Sequence, residues 1–460
     1  MSPEIAQVSS QSQPARRSRP RPRPNAFSKA EKQDGKLERR IQRLKERGQH
    51  HKAEQLTRFR ARSFSLRLTG VARASSKLGT EPRAGLASIG LVRVAEQINL
   101  ARPSNETVRL KAPAKRDGNL RYIMSFGLEG KARQEAIIRL LRPLKSLHEG
   151  QRAVVGGGQA VTGRKVVEAL EQGYRWAVLV DIRNFFGSYN AEVIPDLLSL
   201  EQAVTRSNIL STHLQLVPTR PRATQRTDDQ IDPSGHRGAT RSQRRTLHTQ
   251  REFALSLSGI WACRRGLPQG SAASPMVSEM LLAPMFAELP AGVEVMTHLD
   301  DILVFCRTKR KADLSLQALR AALEQHPAGP LALKRAEIRR AYDGFDFLGY
   351  RFRRRNGEPI AQPTERNRRR FRAGMIAHIL ATALKGEGAD KARNFVRSWC
   401  GQFKLWPAAA TWKALHLRDI DQAERMGEFI HAGGLDPAGR ATRIRAIFGI
   451  GSNCDRSHRT

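Results

Sequence analysis

The sequence predicts an α+β fold, and three observations carry that expectation. Most of the 460 residues follow helical patterning, interrupted by short apolar runs of strand length. One run, Ala177-Val-Leu-Val-Asp-Ile-Arg-Asn-Phe-Phe186, ends in a carboxylate. Another, Val295-Met-Thr-His-Leu-Asp-Asp-Ile-Leu-Val-Phe305, is split by two. Between them lies a turn-rich segment, Arg265-Gly-Leu-Pro-Gln-Gly-Ser-Ala-Ala-Ser-Pro275.

The elements follow in chain order. Residues 1–27 are rich in Ser, Gln, Pro and Arg; they cannot bury a core and are expected to form a disordered basic arm. Residues 28–66 form a polar helix, with Leu37, Ile41 and Leu44 as a narrow apolar stripe. A helix is expected at 86–99. A basic hairpin over 108–124 turns at Asp117-Gly118. Helices at 131–148 and 162–174 lead to a strand at 177–182 whose apolar run fits burial on both faces. Helical patterning returns at 190–216. The polar, breaker-rich stretch 217–250 reads as a flexible surface insertion. A helix at 272–287, facing strands at 293–298 and 302–306, a helix at 311–325 and a strand pair ending in Phe345–Phe352 follow. From about 363 the chain is helical and basic.

The formal net charge is +37, and the pI is about 11.3. A compact chain with that charge repels itself unless a polyanion neutralises it, so nucleic acid is the first partner to consider. The four cysteines, Cys263, Cys306, Cys400 and Cys454, are scattered without a C-x-x-C pair. That suggests neither a zinc knuckle nor a disulfide framework and fits a reducing cytosol. No apolar run approaches the ~20 residues of a membrane helix, and the N-terminus has no apolar signal-peptide core. A soluble protein of the cytosol, with no membrane partner, is the expectation.

Asp300-Asp301 within an apolar strand pair is costly unless it forms a solvated turn or binds cations. A lone Asp-Asp would be a turn. Asp181, ending another apolar strand, shifts the balance: side by side, the two strand ends make a dense negative site. Mg²⁺, a hard cation taking oxygen ligands, relieves that repulsion. Two such ions ~4 Å apart can activate a 3′-hydroxyl and steady a leaving pyrophosphate, with the Ile182 carbonyl as a further ligand. Phe185 reads as core. Phe186, five residues after Asp181, is placed to collide with a 2′-hydroxyl and so select deoxynucleotides. The glycines of Gly266-Leu-Pro-Gln-Gly270 allow close backbone approach to a flat ligand, and the Gln269 amide can contact a nucleotide or template base. Ser274 is read as a cap for the next helix, with Pro275 in its first turn. Lys115, Arg116 and Arg121 of the basic hairpin, with Lys131 and Arg133, could grip a triphosphate, although any single one could equally be solvated surface. Gly158–Lys165 imitates a phosphate loop, but Arg164 and Lys165 stand where Lys and a hydroxyl are needed.

Taken together these segments resemble the reverse transcriptase family, in its prokaryotic branch with the retron, group II intron and defence-associated enzymes. Asp181–Phe186 resembles the first catalytic motif, Gly266–Pro275 the Pro-Gln-Gly…Ser-Pro motif, His298–Asp301 the Tyr-x-Asp-Asp box, and Phe347-Leu348-Gly349-Tyr350 the primer grip. The likeness spans roughly 105–355, with a looser thumb-like match near 390–405. It implies a right-hand polymerase: an arm and polar helix at 1–66, fingers at 67–176, a ferredoxin-like palm at 177–360 carrying the 217–250 insertion, and a helical thumb at 361–460. It implies Asp181 and Asp300 as the main metal ligands, Asp301 as secondary, Phe186 as sugar gate, Gln269 and Gly270 in the nucleotide pocket, and Arg121 and Lys115 on the triphosphate. Two Mg²⁺ ions (or Mn²⁺), an RNA template, a DNA or RNA primer, deoxynucleotides and a cognate structured RNA are the implied partners, in the bacterial cytosol or nucleoid.

This sequence departs from the family pattern in places. His298 replaces the usual Tyr, and Gly187 stands where relatives carry Asp. Glu337 falls where a Lys is common, with Lys334 or Arg335 as stand-ins. Two other readings stay open. One is an RNA-binding maturase or chaperone, which the charge fits equally well. The other is an RNA-dependent RNA polymerase, against which Phe186 argues.

Overall fold

The structure is a computed structural model describing residues 26–77, 88–113, 121–151, 158–218, 263–385 and 388–429. The N-terminal arm, the hairpin tip with Lys115 and Arg116, most of the 217–250 stretch and Cys454 lie outside the described residues.

The chain opens with α1 (Ala26–Glu46), α2 (His50–Arg62), α3 (Phe64–Ser76) and α4 (Ser88–Gln97). The polar helix expected at 28–66 is therefore broken. Gly48, at φ +69°, ends α1, and Ser63 caps α3, accepting from Leu66 N. The expected boundary between residues 66 and 67 falls inside α3. A buried ionic cluster holds this polar layer, and no apolar stripe hinted at it. Arg60 donates to both oxygens of Asp34, at 2.7 and 3.0 Å, and to Glu38 at 2.9 Å. Arg139 donates to Asp34 at 2.5 Å. The Asp34 and Arg60 side chains are fully buried. Burial raises the Asp34 carboxyl's pKa, but the two guanidiniums outweigh that and hold it below its usual value.

Strands β1 (Thr107–Lys111) and β2 (Ile123–Ser125) pair antiparallel, as the hairpin reading requires. Helix α5 (Leu128–Leu141) ends before Pro143, short of the expected 148. Helix α6 (Gly158–Glu171) contains the whole phosphate-loop look-alike. β3 (Trp176–Ile182) follows. The 190–216 stretch is not one helix. After the short α7 (Phe185–Ser188), it forms only α8 (Ile194–Leu197) and α9 (Gln202–Asn208), and then β4 (Gln215–Pro218) begins. β4 pairs in parallel with β1, a tertiary partnership that outweighs local helical preference. Val217 and Pro218 thus belong to a strand and not to the expected insertion.

Then come α10 (Ser274–Leu282), a 3₁₀ turn (Ala283–Glu288), β5 (Glu294–His298), β6 (Asp301–Cys306), α11 (Lys309–Glu324) and β7 (Leu333–Arg340). Four strands form one sheet in the order β5-β6-β3-β7, every pair antiparallel. In chain order that is 2-3-1-4, with α10 and α11 in the two crossovers. This is the ferredoxin-like arrangement expected of the palm. Alternation along β3 explains its doubly buried position. Val178, Val180 and Ile182 join Ile302 and Val304 against Met276, Val277, Leu319 and Leu323. Ala177 and Leu179 join Leu303 and Phe305 on the other face, against Phe345, Tyr350 and Phe352.

That second face is covered by a small sheet, β8 (Phe345–Phe347), β9 (Tyr350–Arg355) and β10 (Glu358–Pro363), of which the third strand was not anticipated. The expected limit at 360 falls within β10. The last described helices, α12 (Glu365–Lys385), α13 (Ala389–Gln402) and α14 (Ala409–Phe429), pack around Phe371, Met375, Val396 and Ile420, a separate core that matches the helical thumb expectation. The fold is α+β and right-hand in layout. Cys263, Cys306 and Cys400 are free thiols, and among the described residues no helix is long and apolar enough to cross a membrane.

Candidate active site

The register of the central sheet brings the three aspartates together. Asp181 pairs with Asp301 across β3 and β6, while His298 pairs with Asp301 across β5 and β6. Leu299 and Asp300 therefore form a two-residue hairpin turn, with Leu299 at φ +61°. The Ile182 N–H donates to the Asp300 carbonyl at 3.3 Å, tying the turn to β3. A register shift between Asp181 and Ile182 marks a bulge against β7, a device that re-aims side chains at strand ends. The Ile182 side chain itself is buried in the core.

Electrostatically the site is over-supplied with negative charge. Burial, then the neighbouring Asp300 and Asp181, push the Asp301 carboxyl up to about 7. Burial, with the Asp181 charge, raises Asp300 against lowering by its own backbone and by the cations Lys334 and Arg121. Lys334 Nζ donates to Asp181 Oδ2 at 2.5 Å, and that bond holds the ammonium above its usual pKa. Asp181 Oδ1 is buried and has no hydrogen-bond partner. His298 Nδ1 is likewise buried without a partner, and burial lowers this ring's pKa. Tyr189, which sequence reasoning missed, is buried within the field of Asp300; nothing in its local sequence marks it.

The Gly-Pro-rich loop docks on two neighbours through its backbone. Leu267 N donates to Phe186 O at 2.7 Å, and Met124 N donates to Gln269 O at 2.8 Å. A Cβ at Gly266 would collide with Phe186 O. One at Gly270, which sits at φ +107°, would collide with Met124 O. The glycines thus let this loop touch β2 and the segment after β3, and not only a ligand. With its amide turned so that both atoms are satisfied, Gln269 donates to Tyr122 O at 3.2 Å and accepts from Arg121 Nε at 2.9 Å. The Arg121 charge is felt at the carboxylates, where it lowers the Asp300 pKa. Phe186 is half-buried, its ring 5.2 Å from that of buried Phe185.

Ser274 does not cap α10: Ala273 holds the cap position without a side-chain bond, and Ser274 Oγ donates back to Pro268 O at 2.8 Å. Glu337 stands opposite Leu179 and pairs with Arg335 and Arg339, while Lys334 is the cation that bonds an aspartate directly, through Asp181, with Arg335 opposite Asp181 in the register. In the primer-grip segment, Phe347, Leu348 and Tyr350 are buried. Leu348 and Gly349 form a turn with φ of +49° and +80°. The Gly349 carbonyl accepts from Thr364 N at 3.0 Å and from Asn367 Nδ2 at 2.9 Å; the Leu348 carbonyl accepts from Gln159. These side chains pack the fold, and the turn is locked to α6 and α12. Lys115 lies outside the described residues.

The donor set suits a hard cation: all oxygen, mutually repelling, with one buried carboxylate oxygen unpartnered. Among the described residues, however, no three His, Cys, Asp or Glu side chains are spaced so as to hold a metal ion between them.

Residues 234–352 match the family model described as reverse transcriptase (RNA-dependent DNA polymerase). The chain thus carries a reverse transcriptase domain. The matched stretch includes Gln269, Asp300, Asp301 and Phe347–Tyr350; it starts after Asp181 and inside the stretch read as an insertion. No curated protein matches the sequence. Among solved structures, Candida albicans telomerase in complex with a fragment of telomeric RNA matches at 14% identity and a TM-score of 0.33 over 76% of this chain. An insertion-loop deletion mutant of the RNA-dependent RNA polymerase of a human picorbirnavirus matches at 12% and 0.40 over 75%. Apo telomerase from Candida tropicalis matches at 10% and 0.34 over 56% of both chains. The chain spans 62% of the length of each of the first two.

Proposed function

We propose that the protein is an RNA-directed DNA polymerase that extends a 3′-hydroxyl on an RNA template, of the prokaryotic reverse transcriptase type. The observation that carries this is the convergence of Asp181, Asp300 and Asp301 at one end of a ferredoxin-like sheet, inside a chain with a reverse transcriptase domain. Two Mg²⁺ ions would be held by Asp181 and Asp300, with Asp301 and the Ile182 carbonyl in support. When bound they supply charge stabilisation for the attacking and leaving oxygens. The chain's own residues do the rest. Arg121, fixed by Gln269, meets the triphosphate. Phe186 excludes a 2′-hydroxyl. Lys334 balances the carboxylate charge through Asp181. The +37 charge also favours a second reading, an RNA-binding maturase or chaperone with a retained palm.

Primer extension on an RNA template with deoxynucleotides and Mg²⁺ separates the two. Wild type should synthesise DNA, and Asp300→Ala with Asp301→Ala should abolish synthesis while RNA binding persists. A well-folded wild type that binds RNA tightly but extends no primer would favour the binding reading.

A further inference from the structure

At the end of the central sheet away from the carboxylates, aromatic rings and cations interleave. Trp176 pairs there with Cys306 and with Arg340. Asp181 lies five residues along β3, about 16 Å away at ~3.3 Å per strand residue. The Arg340 guanidinium lies 5.2 Å from the centre of the Trp176 ring, and Lys309 Nζ lies 5.8 Å from it. Arg307 sits 4.8 Å from the ring of buried Tyr174. Tyr342, just past β7, is 75% exposed, which leaves its ring open to a stacking partner. Backbone bonds from Ala341 N to Arg175 O (2.9 Å) and from Arg175 N to Cys306 O (3.2 Å) clamp these segments together.

Several cations nearby are already neutralised: Lys309 by Asp313, Arg339 by Glu337 and Arg351 by Asp346. Arg307 and Arg340 face rings instead. Helix α11 also opens with Lys309, Arg310 and Lys311 and has no acidic residue in its first turn. Cations there oppose the helix dipole, an arrangement that a bound polyanion relieves.

We propose that this surface is a second RNA-docking site, remote from the carboxylates, in which Arg307, Arg310 and Arg340 hold phosphates and Tyr342 stacks an unpaired base. Guanidinium groups over rings, beside an exposed aromatic, suit a phosphate backbone with a splayed base. They suit an acidic protein less well, because that would leave the ring unused. The site requires only that RNA is a partner, and it stands whether or not the carboxylate end polymerises.

The test titrates the full-length protein with a labelled RNA hairpin bearing a single-stranded flank, over a range of salt. Tyr342→Ala should weaken binding about tenfold, the size of one stacked base, and leave the salt slope unchanged. Arg307→Gln, Arg310→Gln and Arg340→Gln combined should lower the slope of log K against log salt by about 2, at ~0.7 per lost phosphate contact. Melting temperature and extension of a short pre-annealed primer–template should match wild type in both. A control set, Arg39→Gln, Arg58→Gln and Arg62→Gln on α1 and α2, should have a smaller effect. Wild-type affinity and slope in both patch variants would overturn the proposal. So would an equal loss in the control set, which would mean bulk charge alone. Competition by polyglutamate as effective as by RNA at matched charge would reassign the patch to an acidic protein.

Discussion

Replacing Asp34 by Ala removes the centre of the buried ionic cluster, and the structure sets the size of the effect. The carboxylate accepts two bonds from Arg60 and one from Arg139, whose side chains are 0% and 5% exposed. Breaking a buried pair by removing one partner costs about 3–5 kcal/mol, because the remaining charge stays desolvated. Here Glu38 lies 2.9 Å from Arg60 and 3.7 Å from Arg139, and so compensates in part. The expectation is therefore the low end, about 3 kcal/mol, or a little over hundredfold in the opening equilibrium at ~1.4 kcal/mol per decade. Hydrogen exchange of α1 and α3 amides reads this locally, without assuming that the whole chain unfolds in one step. The pH dependence adds an independent check. The folded Asp34 pKa is lowered, so its stabilisation is complete above the unfolded value of ~3.9 and lost as pH falls through the folded value. Wild type should lose protection in α1 on that descent, and Asp34→Ala should lose less. A change below about 1 kcal/mol at neutral pH would refute the buried-cluster argument.

Two further outcomes follow from the site and its support. Phe186→Ala should admit ribonucleotides in primer extension with little change in deoxynucleotide use; unchanged discrimination would remove Phe186 as the sugar gate. His326 is buried, with Nε2 against Leu281 O at 2.9 Å and Nδ1 accepting from Ala328 N at 3.1 Å, a pattern only the neutral ring satisfies. Burial lowers its pKa from 6.5, so its stabilisation is full above that value and declines as pH falls below it. Melting temperature should drop over that range in wild type and drop less in His326→Gln, and parallel curves would contradict this.

Much of the candidate site was legible because its chemistry is local. Apolar strand runs ending in Asp, a Gly-Pro-rich loop and a hairpin with Asp-Asp at its turn are patterns over ten residues or fewer, and the sheet assembled them as expected. The glycines were legible as places of close approach, but what approaches is backbone: Phe186 O and Met124 O. The segment read as a primer grip was legible as a motif; in the structure Phe347 and Tyr350 are core, because alternation along β8 and β9 turns them into the cluster with Phe305.

What the sequence by itself determined is the alternation, the charge and the strand-end carboxylates, since these depend on residue type and on neighbours a few positions away. Only the tertiary structure decided which distant partners meet. Lys334 reaches Asp181 across 153 residues, Arg139 reaches Asp34 across 105, and β4 joins β1 in parallel. Ion pairs and parallel strand pairings have no sequence period, because they are chosen by the register and packing of elements already formed. The choice of Lys334 over Glu337 beside the carboxylates turned on the bulge in β7 against β3: Lys334 falls between Arg335 opposite Asp181 and Leu333 opposite Ile182, while Glu337 lies further along the strand opposite Leu179.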